Sequence, residues 1–160
     1  MSNGAENLQD FLAFSSFVTG FPLFRLRGTG QAEPYLSTVV KVVGDGTTRE
    51  LLSRFRAIQT ESGDDVTAME ASLRARILSD ERLGPIARNI IKLWYIGTWY
   101  QLPAAWRDAF GVLEHDSTFV VSPAAYTEGL LWPAVGANPP GAKGPGYGTW
   151  AEPPRFPDVP

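Results

Sequence analysis

The chain has 160 residues, 44% hydrophobic and 19% charged, with a formal net charge of −3, no cysteine and one histidine. That length holds one domain, or one domain with an appendage. An acidic balance without a basic cluster gives no footing for nucleic acid or an anionic membrane surface. The missing cysteines exclude disulfides, thiolate nucleophiles, Fe–S clusters and covalent c-type haem, and a Cys/His zinc site cannot be built.

In chain order, Met1 to Asp10 is polar and acidic, with no basic or apolar export region, so no secretory signal is expected there. Arg25 and Arg27 are not adjacent, so no twin-arginine signal is expected either. No run of about 18 apolar residues occurs, and no membrane-spanning helix is expected.

Phe11, Phe14, Val18 and Phe21 recur at three- and four-residue steps and predict a helix that Gly20 and Pro22 end. Gly28–Thr29–Gly30 reads as a turn between helices. A helix is expected over 32–43, with Leu36, Val39, Val40 and Val43 on one side; a strand over 37–43 is the weaker alternative. Thr47 with Glu50 matches a capping box opening a helix through Leu51, Leu52, Phe55 and Ile58. Thr67 with Glu70 matches a second, ahead of Met69, Leu73 and Ile77.

Pro85 suits the first turn of the most apolar helix, whose inner face is Ile86, Ile90, Leu93, Trp94 and Gly97, with Arg88, Asn89 and Lys92 on the wet side. No regular helix continues past Pro103, and a short new one is expected over 104–110. Ser122–Pro123 is an N-cap and first position for a helix through Leu131, which Pro133 stops. The expected fold is all-α, a small irregular helical bundle over 1–132 with an extended tail over 133–160.

Residues 133–160 hold eight of the thirteen prolines and five glycines, yet also Tyr147, Trp150 and Phe156. Such composition does not fold alone, and large aromatics gain free energy only when buried. A tether carrying aromatics is read as one laid on another surface. At full extension it spans about 90 Å.

Candidate chemistry is sparse. His115, in Glu114–His115–Asp116, is the one possible base for Ser15, Ser16, Ser117 or Ser122, and no G-x-S-x-G surrounds any of them. The simpler reading is a solvent-facing polar turn. Asp64–Asp65 and Asp80–Glu81 lack the alternating oxygens of a calcium loop and suit helix N-termini. Trp94, Tyr95, Trp99, Tyr100 and Trp106 fit either a sugar-stacking platform or, at helical spacing, core or interface, and Gly97 among them permits close approach of another backbone.

The run Leu93–Trp94–Tyr95–Ile96–Gly97–Thr98–Trp99 resembles the "LWY-x-G-x-W" signature of the small subunits of bacterial FAD-dependent glucose, fructose and sorbitol dehydrogenase complexes. Val121–Ser122, Ala125–Tyr126, Gly129 to Trp132, Pro139–Pro140–Gly141 and Gly146 to Pro154 resemble the family's later motifs in the same order. Phe11 to Ser15 and Val18–Thr19–Gly20 resemble its opening.

The resemblance implies a non-catalytic, all-helical accessory subunit with no cofactor of its own. In that family the small subunit binds and chaperones a large flavoprotein of the glucose–methanol–choline (GMC) type. That partner holds FAD, oxidises a sugar, glycoside or polyol, and commonly passes electrons to a c-type cytochrome subunit. The family is usually periplasmic; without an export signal, a cytoplasmic site or a trimmed chain is the expectation here. The expected partner interface is Trp94, Tyr95, Gly97, Trp99, Trp106, Tyr126, Trp132, Pro139, Pro140, Tyr147, Trp150 and Pro153. The competing readings are a stand-alone carbohydrate-binding module using exposed aromatics and an enzyme acting through His115.

Overall fold

The computed structural model describes residues 2–142, and they form a mostly helical body. Helices α1 (Ser2–Thr19), α2 (Leu23–Gly28), α3 (Ala32–Val43) and α4 (Asp45–Ser62) are followed by α5 (Val66–Leu73), which runs into a π turn at Arg74–Leu78. Then come α6 (Leu83–Ile96), strand β1 (Thr98–Trp99), α7 (Ala104–Phe110), strand β2 (Phe119–Val120), α8 (Pro123–Thr127) and α9 (Leu131–Ala134).

The core lies where α1 and α3 pack against each other and against both α4 and α6. Phe11 and Phe14 of α1, Tyr35 and Val39 of α3, Leu51, Phe55 and Ile58 of α4, and Ile86, Ile90, Leu93 and Trp94 of α6 are buried there. The helical spacing seen in the sequence thus places one apolar stripe of each helix inward. Phe14 meets Phe55 edge-on at 5.3 Å, and Tyr35 meets Trp94 edge-on at 5.0 Å. Each such pair adds about 0.5–1.5 kcal/mol beyond burial.

Several boundaries differ from the sequence expectation for local reasons. Helix α1 stops at Thr19, with Gly20 at φ 75°, so Phe21 lies beyond its stripe and packs on Tyr95 instead. Neither predicted capping box forms. Helix α4 starts two residues before Thr47, after Gly44 at φ 84°, and Glu50 pairs with Arg54 and Arg82 rather than with a backbone amide. Helix α5 is capped by the Asp65 carboxylate, which accepts from the Ala68 N–H at 2.9 Å, so Thr67 falls inside the helix.

On α6, Arg88 and Lys92 face water, but Asn89 is buried. Its amide donates to the Tyr100 carbonyl at 2.6 Å, tying the helix to the strand segment after it. The expected single helix from Ala124 to Leu131 is two pieces, broken at Glu128–Gly129. There the Leu130 N–H turns aside to donate to the Trp94 carbonyl at 2.9 Å. Pro133 does not stop the second piece: it occupies the third position of α9, in the first turn where no intrahelical N–H donor is required. The Ser122 cap forms as expected, its hydroxyl accepting from the Ala125 N–H at 3.0 Å with Pro123 next.

Candidate functional site

Three of the expected interface tryptophans are consumed by this chain's own core. Trp94 and Trp99 are 1% and 0% exposed, and Trp106 is buried beside them. Trp94 and Trp99, enclosed by their own chain, have no face left for a partner, which corrects their assignment, while Trp106 keeps an edge on a hollow it lines with Pro103 and Phe110. The Trp99 indole N–H donates to the Asp116 carboxylate at 2.9 Å, and the Trp106 indole N–H donates to the Arg82 carbonyl at 2.8 Å.

Asp116 also departs from the polar-turn reading. It is 5% exposed and accepts the Leu102 N–H at 3.0 Å as well as the Trp99 indole. The loop before β2 is thereby pinned over Trp99. Glu114 and His115 remain exposed in the turn.

Gly97 permits close approach of a backbone, but the backbone is internal. It sits at φ 65° as the left-handed cap of α6, and a Cβ there would lie 2.6 Å from the Ala125 carbonyl carbon and oxygen. A second close approach lies at Gly129, where a Cβ would meet the Tyr95 carbonyl oxygen at 2.7 Å. Tyr95 is half-buried on Phe21, and its hydroxyl donates to the Thr19 carbonyl at 2.9 Å. The stretch 93–99 therefore acts as a joint that seats α8 and α9 on α6.

Of the remaining expected residues, Tyr126, Trp132 and Pro140 lie at or near the surface. Tyr126 is exposed and meets Trp132 edge-on at 5.6 Å; the Trp132 indole donates to the Tyr126 carbonyl at 2.9 Å. Pro139 is buried and Pro140 exposed. Tyr147, Trp150 and Pro153 lie outside the described residues.

Trp132 and Pro139 border a groove of about 410 Å³ between α2 and the α8–α9 segment. Phe24, Arg25 and Thr29 line one wall; Thr127, Glu128 and Leu130 contribute to the other. Phe24 is 76% exposed, and Leu23 and Leu131, next to lining residues in sequence, are exposed large apolar residues too. Behind the groove, burial holds the Tyr35 hydroxyl well above the usual tyrosine range, and the Glu128 charge adds to that. A protonated phenol there is neutral at every physiological pH.

Sequence reasoning missed α2. Its signal was faint but physical. In a helix of six residues, Leu23, Phe24 and Leu26 cannot all face one core, because adjacent positions diverge by about 100°. Only Leu26 is buried, and Phe24 is left outside.

The acidic pairs serve the fold. The Asp80 carboxylate accepts from the Arg82 and Leu83 N–H groups at 2.9 and 2.8 Å and pairs with Arg54 at 2.7 Å. Burial opposes its ionisation, but these donors outweigh that and hold its pKa below the usual carboxylate value. Among the described residues no group of three or more His, Cys, Asp or Glu side chains is placed to hold a metal ion, and no helix is long and apolar enough to cross a membrane. Comparison with protein-family models, curated proteins and solved structures finds no match to this chain.

Proposed function

We propose that this chain is a non-catalytic accessory subunit that binds and stabilises a large FAD-dependent GMC-type dehydrogenase oxidising a sugar, glycoside or polyol. The flavin belongs to that partner, and a c-type cytochrome subunit is the class of protein that would receive its electrons. One observation carries the reading. Large apolar side chains stand exposed in and beside one groove, and that groove is bordered by Pro139, at the start of the Pro/Gly/aromatic segment. Val66, Val112 and Val120 stand exposed elsewhere, and the patch that rims a groove is the one read as an interaction site. The motif order described from the sequence supplies the class of partner.

The buried joint at 93–99 supports this reading indirectly. The Trp94 carbonyl, accepting from the Leu130 N–H, and Gly97, in close approach to Ala125, seat α8 and α9 against α6, and those two short helices carry Tyr126 and Trp132. The signature then serves to present a surface rather than to form one.

The test is co-expression with the neighbouring large reading frame, followed by purification through this chain. Co-purification of a flavoprotein with oxidised-flavin absorption supports the reading. A stable colourless monomer that captures no flavoprotein refutes it, and titration calorimetry with mono- and disaccharides then decides for or against a carbohydrate-binding module.

A further inference from the structure

We infer that residues 121–137, the segment carrying α8 and α9, form a hinged flap that opens from α6 as one unit while the helical body beneath it stays folded. The inference stands apart from the accessory-subunit reading: it makes one wall of the groove a movable part.

Attachment comes first. Helix α8 has five residues and α9 four, too few for either to hold its shape alone. The segment is therefore held from outside, and among the described residues its backbone is bonded to the body at two places. The Val121 N–H donates to the Gly97 carbonyl and the Leu130 N–H to the Trp94 carbonyl, each at 2.9 Å. Its other backbone hydrogen bonds close within the segment, as from the Glu128 N–H to the Ala124 carbonyl, from Ala134 to Leu130 and from Ala137 to Trp132. The Trp132 indole N–H also donates inward, to the Tyr126 carbonyl. A stretch bonded mainly to itself opens as one cooperative unit.

Its apolar anchorage is equally small. Ala125 and Leu130 are its buried apolar side chains, whereas α6 buries Leu83, Ile86, Ile90, Leu93 and Trp94. Opening the flap thus exposes far less apolar surface than unfolding the body does.

The closed state also covers an unmet polar group. The Tyr35 hydroxyl and the Trp94 indole N–H are buried with no hydrogen-bond partner among the described residues. The two rings meet edge-on at 5.0 Å, and the charge of Glu128, at the break between α8 and α9, reaches the Tyr35 hydroxyl. That hydroxyl therefore lies on the flap side of the core. A buried hydroxyl without a partner forfeits its hydration, and opening restores it. Few anchors above and an unmet hydroxyl below both lower the cost of opening at this place.

The hinge follows from the strand pair. Phe119 opposite Trp99 and Val120 opposite Thr98 fix the chain up to Val120, and Ser122 follows in an extended conformation, at φ −167° and ψ 165°. Closure needs a glycine at 129, because a Cβ there would lie 2.7 Å from the Tyr95 carbonyl oxygen.

The experiment is native-state hydrogen exchange at low denaturant on the full chain, as wild type, Tyr35→Phe and Gly129→Ala, with circular dichroism verifying that each folds. In wild type the amides of Tyr126, Glu128, Leu130, Ala134 and Ala137 are expected to share one opening free energy, below that of the amides of α4 and α6. Tyr35→Phe is expected to slow exchange across 121–137 at least about fivefold, because the closed flap then covers no unmet hydroxyl. Gly129→Ala is expected to speed exchange there at least about tenfold, because closure then meets the Tyr95 carbonyl. If the flap amides share the opening free energy of α4, the segment opens only by global unfolding and the inference is overturned. Independent opening of the five amides overturns it equally, as does exchange at 121–137 that Tyr35→Phe leaves unchanged or accelerates.

Discussion

Trp94, Trp99 and Trp106 lie almost wholly inside the chain, whereas Phe24, Tyr126 and Trp132 line or flank an open groove on the same body. Both sets are aromatic and both have apolar neighbours. They differ in what encloses them. The first set sits where α6, β1 and the loop carrying Asp116 converge, and Asp116 and the Arg82 carbonyl meet two of its three indole donors. The second set is carried by helices of four to six residues, each covered on one side only. Aromatic content therefore marks burial of some kind, and the number of packed elements around a ring decides whether this chain completes that burial.

The largest expected effect falls in the first region. Trp99→Ala should cost about 3–5 kcal/mol, the range for removing a buried tryptophan, and also leave Asp116 short of a donor. Urea denaturation gives the value directly; a loss below about 1 kcal/mol would mean that the ring is not part of the core. Gly97→Ala comes next. The left-handed backbone alone costs about 1–3 kcal/mol, and the contact with Ala125 adds to it. The variant should melt lower and also loosen α8, seen as faster hydrogen exchange at 123–127. Equal exchange there would separate the glycine from the groove.

A smaller effect concerns the other acidic residue that closes the body. Asp80→Asn should lose about 1–3 kcal/mol at neutral pH, from weakened charge-assisted bonds to Arg54, Arg82 and Leu83. The folded pKa of Asp80 is depressed, so its stabilisation is present above the unfolded carboxylate value of about 3.9 and disappears as pH falls through the folded value. The gap between wild type and Asp80→Asn should therefore be constant near neutrality and close below about pH 4. A gap that widens in acid would reverse the assignment.

The smallest stability effect should come from the second region. Phe24→Asp should shift stability by no more than about 0.5 kcal/mol, as for other exposed positions, while abolishing partner capture. A large loss of stability would place Phe24 in the core and dissolve the contrast between the two regions.

Helical periodicity made α1, α3, α4 and α6 legible, because each buries one stripe and the spacing of apolar residues records it. The Ser122–Pro123 start was legible for the same local reason. Capping by Asp65 rather than Thr67 was not, since both residues are competent caps and chain geometry chose between them. Of the expected interface, Trp132 and Pro139 line one groove, with Tyr126 packed on Trp132. Trp94, Trp99 and Trp106 do not, because sequence spacing cannot say whether an apolar face meets its own chain or another. Phe24 and Arg25 escaped notice because α2 is too short to show a period.

The amino-acid order by itself determined the helical character of the segments that form α1, α3, α4 and α6 and the chemical poverty of the chain: one histidine, no thiol, and all five tryptophans from Trp94 onward. Local propensity and inventory are enough for these, with no knowledge of distant contacts. Tertiary structure alone decided which aromatics are enclosed, that Asp116 is a buried acceptor, and that Gly97 meets Ala125. The Asp116 and Gly97 contacts join residues 14 to 28 positions apart, and the enclosure of Trp94 by Tyr35 and Phe11 joins residues 59 and 83 positions apart. Enclosure is a property of several packed elements at once, and no single stretch of sequence carries it.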